Sequence, residues 1–479
     1  MRTSLWVLAS ALVCFSATAV QAADAKVQPL PETVSYHHDI RPIFQAQCQG
    51  CHQPAKPQGK YVMVEFATLF AKGESGEAGI VPGQPDKSAL LAQIKGKPGE
   101  KPLMPKEREP LTERQVQLVA KWIAQGAKDD TPPSKDPKID QDHPPVYKLP
   151  PILTSLDWSP DGKLLAVSGY HEVLLYDGEK FADPNVPVVP AARLVGLSER
   201  IESVRFSPDG KLLAVAGGSP GRFGEIQVWD METKKLALSV TTTFDSVYGA
   251  TWSHDNTRIA YGCGDNTLRA IDAKGGKQVL FQGAHSDWVL ATVWSKDSSH
   301  LVSVSRDRSM KLTEFATARF VDNITSITPG ALKGGLITVD RNPMNDELLI
   351  GGADGTPKIY QMHRTKARQI GDDFNLIRAF EMLPGRIFAA RFSRDGKLAA
   401  IGTSNQTQGE ARVYQTADAK LVSKLEGQQG GVFTVAFAGD GKLVASGGFD
   451  GKIRINDSAT GKLVREFIPV PLSPDVAAK

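Results

Sequence analysis

Seven times between residues 156 and 448 an alternating apolar strand, a polar turn and a second apolar strand follow one another. The units are LDWSPDGKLLAVSG (156–169), VRFSPDGKLLAVAG (204–217), ATWSHDNTRIAYGC (250–263), TVWSKDSSHLVSVS (292–305), VDRNPMNDELLIGG (339–352), ARFSRDGKLAAIGT (390–403) and VAFAGDGKLVASGG (435–448). Period-two alternation predicts half-buried strands, and the polar turns, several with Asp-Gly, predict hairpins. A further short strand ends each unit: LLYD, QVWD, RAID, KLTE, KIYQ, RVYQ and RIND. The turn residues Asp161, Asp209, Asp255, Asp297, Asp346, Asp395 and Asp440 recur every 42 to 49 residues, which is the period of a four-stranded propeller blade.

Ahead of the repeats the pattern is helical. In HHDIRPIFQAQC, Asp39 is placed as a cap and Pro42 in the first turn, with Ile40, Ile43, Phe44 and Cys48 at helical spacing. YVMVEF (61–66) alternates and predicts a buried strand containing Met63. Further on, Thr112 and Gln115 form a capping box, Val116, Val119, Trp122 and Ile123 make one apolar face, and Gly126 stops the helix. A segment rich in Pro, Asp and Lys (129–150), with His143 read as solvated, then separates the helical unit from the repeats as a semi-stiff spacer.

At 479 residues the chain is long enough for two unequal domains. Residues 1–22 read as a secretory signal peptide, with Arg2, an apolar stretch from Leu5 to Phe15 and a small-residue site before Ala23; residues 23–35 are an N-terminal extension. The mature protein is therefore expected in the periplasm or otherwise exported, with no integral membrane segment after cleavage. A formal charge of +3 without a basic stripe excludes a nucleic-acid surface. Cleavage would remove Cys14 and leave Cys48, Cys51 and Cys263, too few for a disulfide framework.

Two of the remaining cysteines stand in CQGCH, residues 48–52. Cys-x-x-Cys-His is the attachment pattern of a c-type haem: the thiols of Cys48 and Cys51 bond the porphyrin, and His52 is thereby held beneath the iron as the proximal ligand. A zinc site would need further paired ligands nearby, and a thioredoxin-like pair would not need the histidine. For the distal position the candidate is Met104, on a proline-flanked loop ahead of the last helix; His37 and His38 begin the helix that carries the cysteines. Lys95, Lys97, Lys101, Lys106 and Arg108, mixed with Glu100, Glu107 and Glu109, surround that loop and read as a solvated surface or as a docking face for an acidic redox partner.

IRPIFQAQCQGCH, IVPGQPDKSALL, LMPK and LTERQVQLVAKWIAQGA stand in the order of the planctomycete-type cytochrome c domain, which residues 36–128 resemble. The resemblance implies a small all-α, class I-like cytochrome c domain carrying one covalent haem c, with His52 and Met104 axial. The strand ends resemble the Trp-Asp ends of WD repeats, with only Trp229-Asp230 intact. That resemblance implies an all-β seven-bladed propeller over residues 151–479, so the chain reads as multidomain. The outer strand of its last blade is either GKLVREF (461–467) or VYKL (146–149). His285 matches the Gly-His position of such repeats, where the imidazole bonds a serine and the turn aspartate, here Ser303 and Asp307.

Neither a nucleophile triad nor a phosphate loop is legible, and Cys263 reads as a buried thiol. The favoured function is single-electron transfer by the haem domain, with the propeller as a site for a protein partner. An oxidoreductase whose propeller holds a substrate or second cofactor is the alternative; a binding protein with a haem redox sensor is a third.

Overall fold

The structure is a computed structural model of the chain. It describes residues 29–473 apart from 54–55, 97–98, 107–108, 133–138, 182, 184, 284, 327–332, 368–372 and 407. The expected signal peptide with Cys14, the extension as far as residue 28, and Lys97, Glu107 and Arg108 lie outside the described residues.

One helical run carries the cysteines: a π-helical turn, Tyr36–Ile40, continues directly into α1, Arg41–Gln47. The run begins at Ser35 rather than at Asp39. Ser35 Oγ accepts the His38 amide at 2.9 Å, while Asp39 Oδ2 accepts the Ser35 amide at 2.8 Å, so the aspartate caps from inside the helix. Two more helices follow, α2 (Ala89–Lys95) and α3 (Glu113–Ala124). In α3 the expected capping box is present, with the Thr112 amide 2.9 Å from Gln115 Oε1 and the Gln115 amide 3.3 Å from Thr112 Oγ1. Gly126 ends the helix at φ 94°, a backbone state that suits glycine.

These helices close on Ile40, Phe44, Leu91, Ile94, Val119, Trp122 and Ile123. Trp122 stacks on Tyr36 at 5.3 Å and meets the edge of Phe44 at 6.2 Å. YVMVEF does not form the expected strand; a loop leads into a 3₁₀ turn at Phe66–Phe70. The carbonyls of Tyr61 and Met63 are instead engaged by the side chains of His52 and Gln49, which leaves them unavailable to a neighbouring strand. A two-residue strand pair, His52–Gln53 with Lys56–Pro57, also departs from a purely α unit.

Beyond residue 150 the regular structure of the described residues is β, apart from a 3₁₀ turn at Gly178–Phe181. A seven-stranded sheet runs from Leu156–Trp158 to Leu236–Thr243, and five four-stranded sheets begin with Val247–Trp252, Val289–Trp294, Leu336–Arg341, Arg386–Phe392 and Val432–Phe437. Every pairing in these sheets is antiparallel between strands consecutive in the chain. The larger sheet is two repeat units fused by one 15-residue strand, Ala192–Phe206. Its first half pairs with Tyr170–Asp177 and its second with Leu212–Ser219.

The seven strand-turn-strand units all form the first two strands of a unit, and a shared turn bond holds five of them. Ser159, Ser207, Ser253, Ser295 and Ser393 each donate to the aspartate two residues on, at 2.5–2.7 Å. In the fifth unit Asn342 takes the serine's place and accepts the Met344 amide at 3.0 Å.

Each unit's first strand packs on that of the next, and Val432–Phe437 packs on Leu156–Trp158. There the Leu156 amide donates to Thr434 Oγ1 at 3.0 Å. The outer strand of the last sheet is Leu463–Phe467, which settles one of the two options. The other, VYKL, lies nearby without pairing as a strand: Tyr147 makes a single parallel bridge to Leu472. Its hydroxyl donates to Glu172 Oε1 at 2.8 Å, and Arg193 grips both oxygens of the same carboxylate and the Pro145 carbonyl. The end of the Pro-rich segment is thus tied to the first sheet, while His143 is exposed beside Asp140.

Candidate cofactor site

Cys48 directly follows α1, its amide bonded to the Phe44 carbonyl at 2.9 Å. The amides of Cys51 and His52 both reach back to the Cys48 carbonyl at 3.1 Å, so the motif is wound as one turn. Gln49 points inward and donates to the Met63 carbonyl at 2.8 Å. His52 Nδ1 lies 3.1 Å from the Tyr61 carbonyl. A carbonyl only accepts, so Nδ1 carries the proton and Nε2 keeps its lone pair. Burial lowers the His52 pKa and favours this neutral ring. Tyr61 is itself anchored, donating its hydroxyl to the Leu69 carbonyl at 2.6 Å. Gly79 makes room for it, since a Cβ there would stand 2.1 Å from that oxygen.

Cys48, Cys51, His52 and Met104 line one pocket, together with Tyr61, Met63, Leu90, Ile94 and Pro105. Measured out to its mouth the pocket encloses about 1090 Å³. Met104 is half-buried against the helical core, and its amide donates to the Gln93 carbonyl at 3.0 Å, which ties the loop to α2. Two half-buried thiols, an imidazole nitrogen with its lone pair and a thioether thus converge on an apolar cavity. That donor set fits haem. The sequence did not single out Tyr61, because the orienting group is a backbone carbonyl and carries no residue signature; nor did it read Met63 as a pocket wall.

The motif turn also meets the sheets. Leu236–Thr243, the outer strand of the seven-stranded sheet, receives it: Thr241 Oγ1 donates to the Gln45 carbonyl at 3.1 Å. Gly50 lies so close to the Ser239 backbone that a Cβ would stand 2.2 Å from its carbonyl oxygen. Around the Met104 loop Lys95, Lys101, Lys106, Glu100 and Glu109 are all exposed.

Within the sheets His285 bridges Asp307 Oδ2 at 2.9 Å and Ser303 Oγ at 2.8 Å, the arrangement expected from the repeat. Cys263 is buried, and burial pushes its thiol up to about 12. The first strands carry Asp157, Arg205, Asp340 and Arg391. Each bonds backbone: Asp157 and Asp340 accept the amides of Phe206 and Phe392 at 2.9 and 2.8 Å, and the arginines donate to carbonyls.

Residues 48–108 match the family model described as Planctomycete cytochrome C, and residues 145–177, 276–313 and 419–457 match the WD domain, G-beta repeat. Similar curated proteins include the Ribosome biogenesis protein WDR12 homolog of Chlamydomonas reinhardtii, 27% identical over 146 residues, which are 28% of this chain and 33% of that protein. WD repeat and SOCS box-containing protein 1 of Danio rerio is 34% identical over 91 residues, 19% of this chain and 22% of that protein. Coronin-7 of Bos taurus is 26% identical over 154 residues, 31% of this chain and 16% of that protein. The chain spans a third or less of each of these relatives. It therefore combines a cytochrome c-like domain with WD40 repeats, and among the described residues no helix is long and apolar enough to cross a membrane.

Proposed function

We propose that the chain is an exported electron carrier whose residues 36–128 would hold one haem c through Cys48 and Cys51, with His52 and Met104 as the side chains that would bind its iron. The carrying observation is the convergence of those four residues on one apolar pocket, with His52 held as the tautomer that keeps Nε2 available. Haem, when bound, supplies an iron that takes up and releases one electron at a time. The chain's residues supply the rest. The Tyr61 carbonyl fixes the imidazole, Leu90 and Ile94 keep the pocket wall apolar, and the Gln93 carbonyl holds the Met104 loop. Were His52 and Met104 both to hold the iron, a carrier role would be favoured over catalysis.

Residues 151–479 act in this reading as a seven-bladed propeller that binds a protein partner. The cyclic packing of first strands, with the last against the first, supports the ring. Exposed Lys95, Lys101 and Lys106 beside the Met104 loop suit an acidic redox partner. The apolar leader at residues 1–22 supports export to the periplasm.

The test is a reduced-minus-oxidised absorption spectrum of the full chain, purified from a host with haem-attachment machinery and repeated for Met104→Ala. A c-type spectrum whose thioether-to-iron band disappears in the variant is expected. No haem despite competent maturation would overturn the reading.

A further inference from the structure

Beside the motif turn, where the helical unit rests on the Leu236–Thr243 strand, a second cleft opens. It encloses about 1470 Å³ out to its mouth and draws its walls from both units: Gln47, Lys101, Glu109 and Pro110 on one side, Val240, Thr242, Tyr261, Ile271, Lys277 and Gln278 on the other. Neither unit alone forms it. Gln47 lines this cleft and also the pocket of Cys48, Cys51, His52 and Met104, so one side chain is common to the two cavities.

Two features point to a guest. Tyr261 is fully buried, and its hydroxyl faces only the buried hydroxyl of Thr242, neither having any other partner among the described residues. Leaving such a group without a full set of partners is costly in a buried setting. The two hydroxyls could serve each other only once, which leaves one O–H for something in the cleft. At the rim, Lys101 and Lys277 outnumber Glu109, the one carboxylate among the described lining residues. The N-terminus of α3, represented by the lining residues Thr112 and Gln115, adds the positive end of a helix dipole. Val240, Ile271 and Pro110 make up the apolar part of the lining.

We propose that this cleft is a binding site for a small phenolic carboxylate. The ring lies against Val240, Ile271 and Pro110, the carboxylate meets Lys101 and Lys277, and the ring hydroxyl pairs with Tyr261 and Thr242. The site is built from protein groups alone. Only its setting, one side chain from the pocket assigned to haem, rests on the proposed function.

The experiment is a calorimetric titration of the full chain with 3,4-dihydroxybenzoate, with benzoate and catechol as probes that each lack one of the two recognised groups. Saturable binding at one molecule per chain is expected, with both simpler probes weaker by about tenfold or more, the worth of one charge-assisted hydrogen bond. Lys277→Gln should weaken binding about tenfold. Tyr261→Phe should weaken it about fivefold while moving thermal unfolding little, because the hydroxyl it removes meets only that of Thr242 in the fold. Absence of binding, or binding indifferent to both substitutions, would overturn the proposal. A chain found without haem would sink the electron-carrier reading and leave this titration fully interpretable.

Discussion

Asp157 and Asp340 stand half-buried on the first strands of their units, and burial pushes each carboxyl up to about 6 despite Arg205 nearby. A folded-state pKa above the unfolded value means that the folded chain holds the proton more tightly. The associated stability is then fully present below about pH 4 and is lost as pH rises through about 6. Residual solvent contact trims the effect to roughly 1–2 kcal/mol per group. The turn aspartates run the other way: serine hydroxyls hold Asp161 and Asp395 below the usual range, so their contribution is lost as pH falls below about 4. Asp157→Asn keeps an oxygen for the Phe206 amide and removes the charge. Urea unfolding of the variant should therefore lose less stability between pH 4 and 6 than the parent, and identical profiles would show that the carboxyl is ionised throughout. At this scale the sequence singled out Cys48, Cys51 and His52, which are contiguous, and Met104, which its prolines made conspicuous, and the structure places all four on one pocket. Tyr61 escaped because any residue can present a carbonyl.

At the scale of elements, hydrophobic alternation located all seven hairpins because each repeats the same burial problem. It could not locate the irregularities. In six of the first strands the register slips near the start, between Ile201 and Ser203, Tyr248 and Thr251, Val289 and Ala291, Leu336 and Thr338, Ile387 and Ala389, and Val432 and Thr434. A bulge bends its strand locally, and no residue type is required for it. The seating of the motif turn was equally silent, since a glycine between two cysteines reads as filler. Gly50→Val would press side-chain carbons into the Ser239 backbone, which no rotamer change relieves. The expected result is a larger radius of gyration by small-angle scattering and faster proteolysis near residue 132, with each unit's own unfolding shifted by less than about 1 kcal/mol. Unchanged dimensions would mean that the two units do not rest on each other through this turn.

Across the whole molecule, the two ends of the β region meet. The Ser473 amide donates to the Tyr147 carbonyl at 2.8 Å, the Tyr176 hydroxyl donates to the Pro469 carbonyl, and Val470 is buried beside them. A chain ending at Phe467 would lose that buried valine and both bonds, together roughly 3 kcal/mol. Differential scanning calorimetry should record an earlier transition for the sheets with the helical unit's transition in place. If both transitions stay put, the fastening contributes nothing.

The strand that seats the helical unit has a further consequence. LALSVTTT, Leu236–Thr243, is eight residues long and carries no charge; the outer strand of the next sheet, Gln278–Gln282, is neutral as well but only five residues long, whereas those of the last four sheets each carry a lysine or arginine: Arg319, Arg378, Lys424 and Arg465. Charged side chains discourage a bare edge from pairing with another molecule, and this edge has none of that protection. The helical unit is its cover. A chain whose helical unit has not closed would expose a neutral eight-residue template, so misfolding of that unit and self-association become a single failure, and the protein's solubility reports on whether its smaller half has folded.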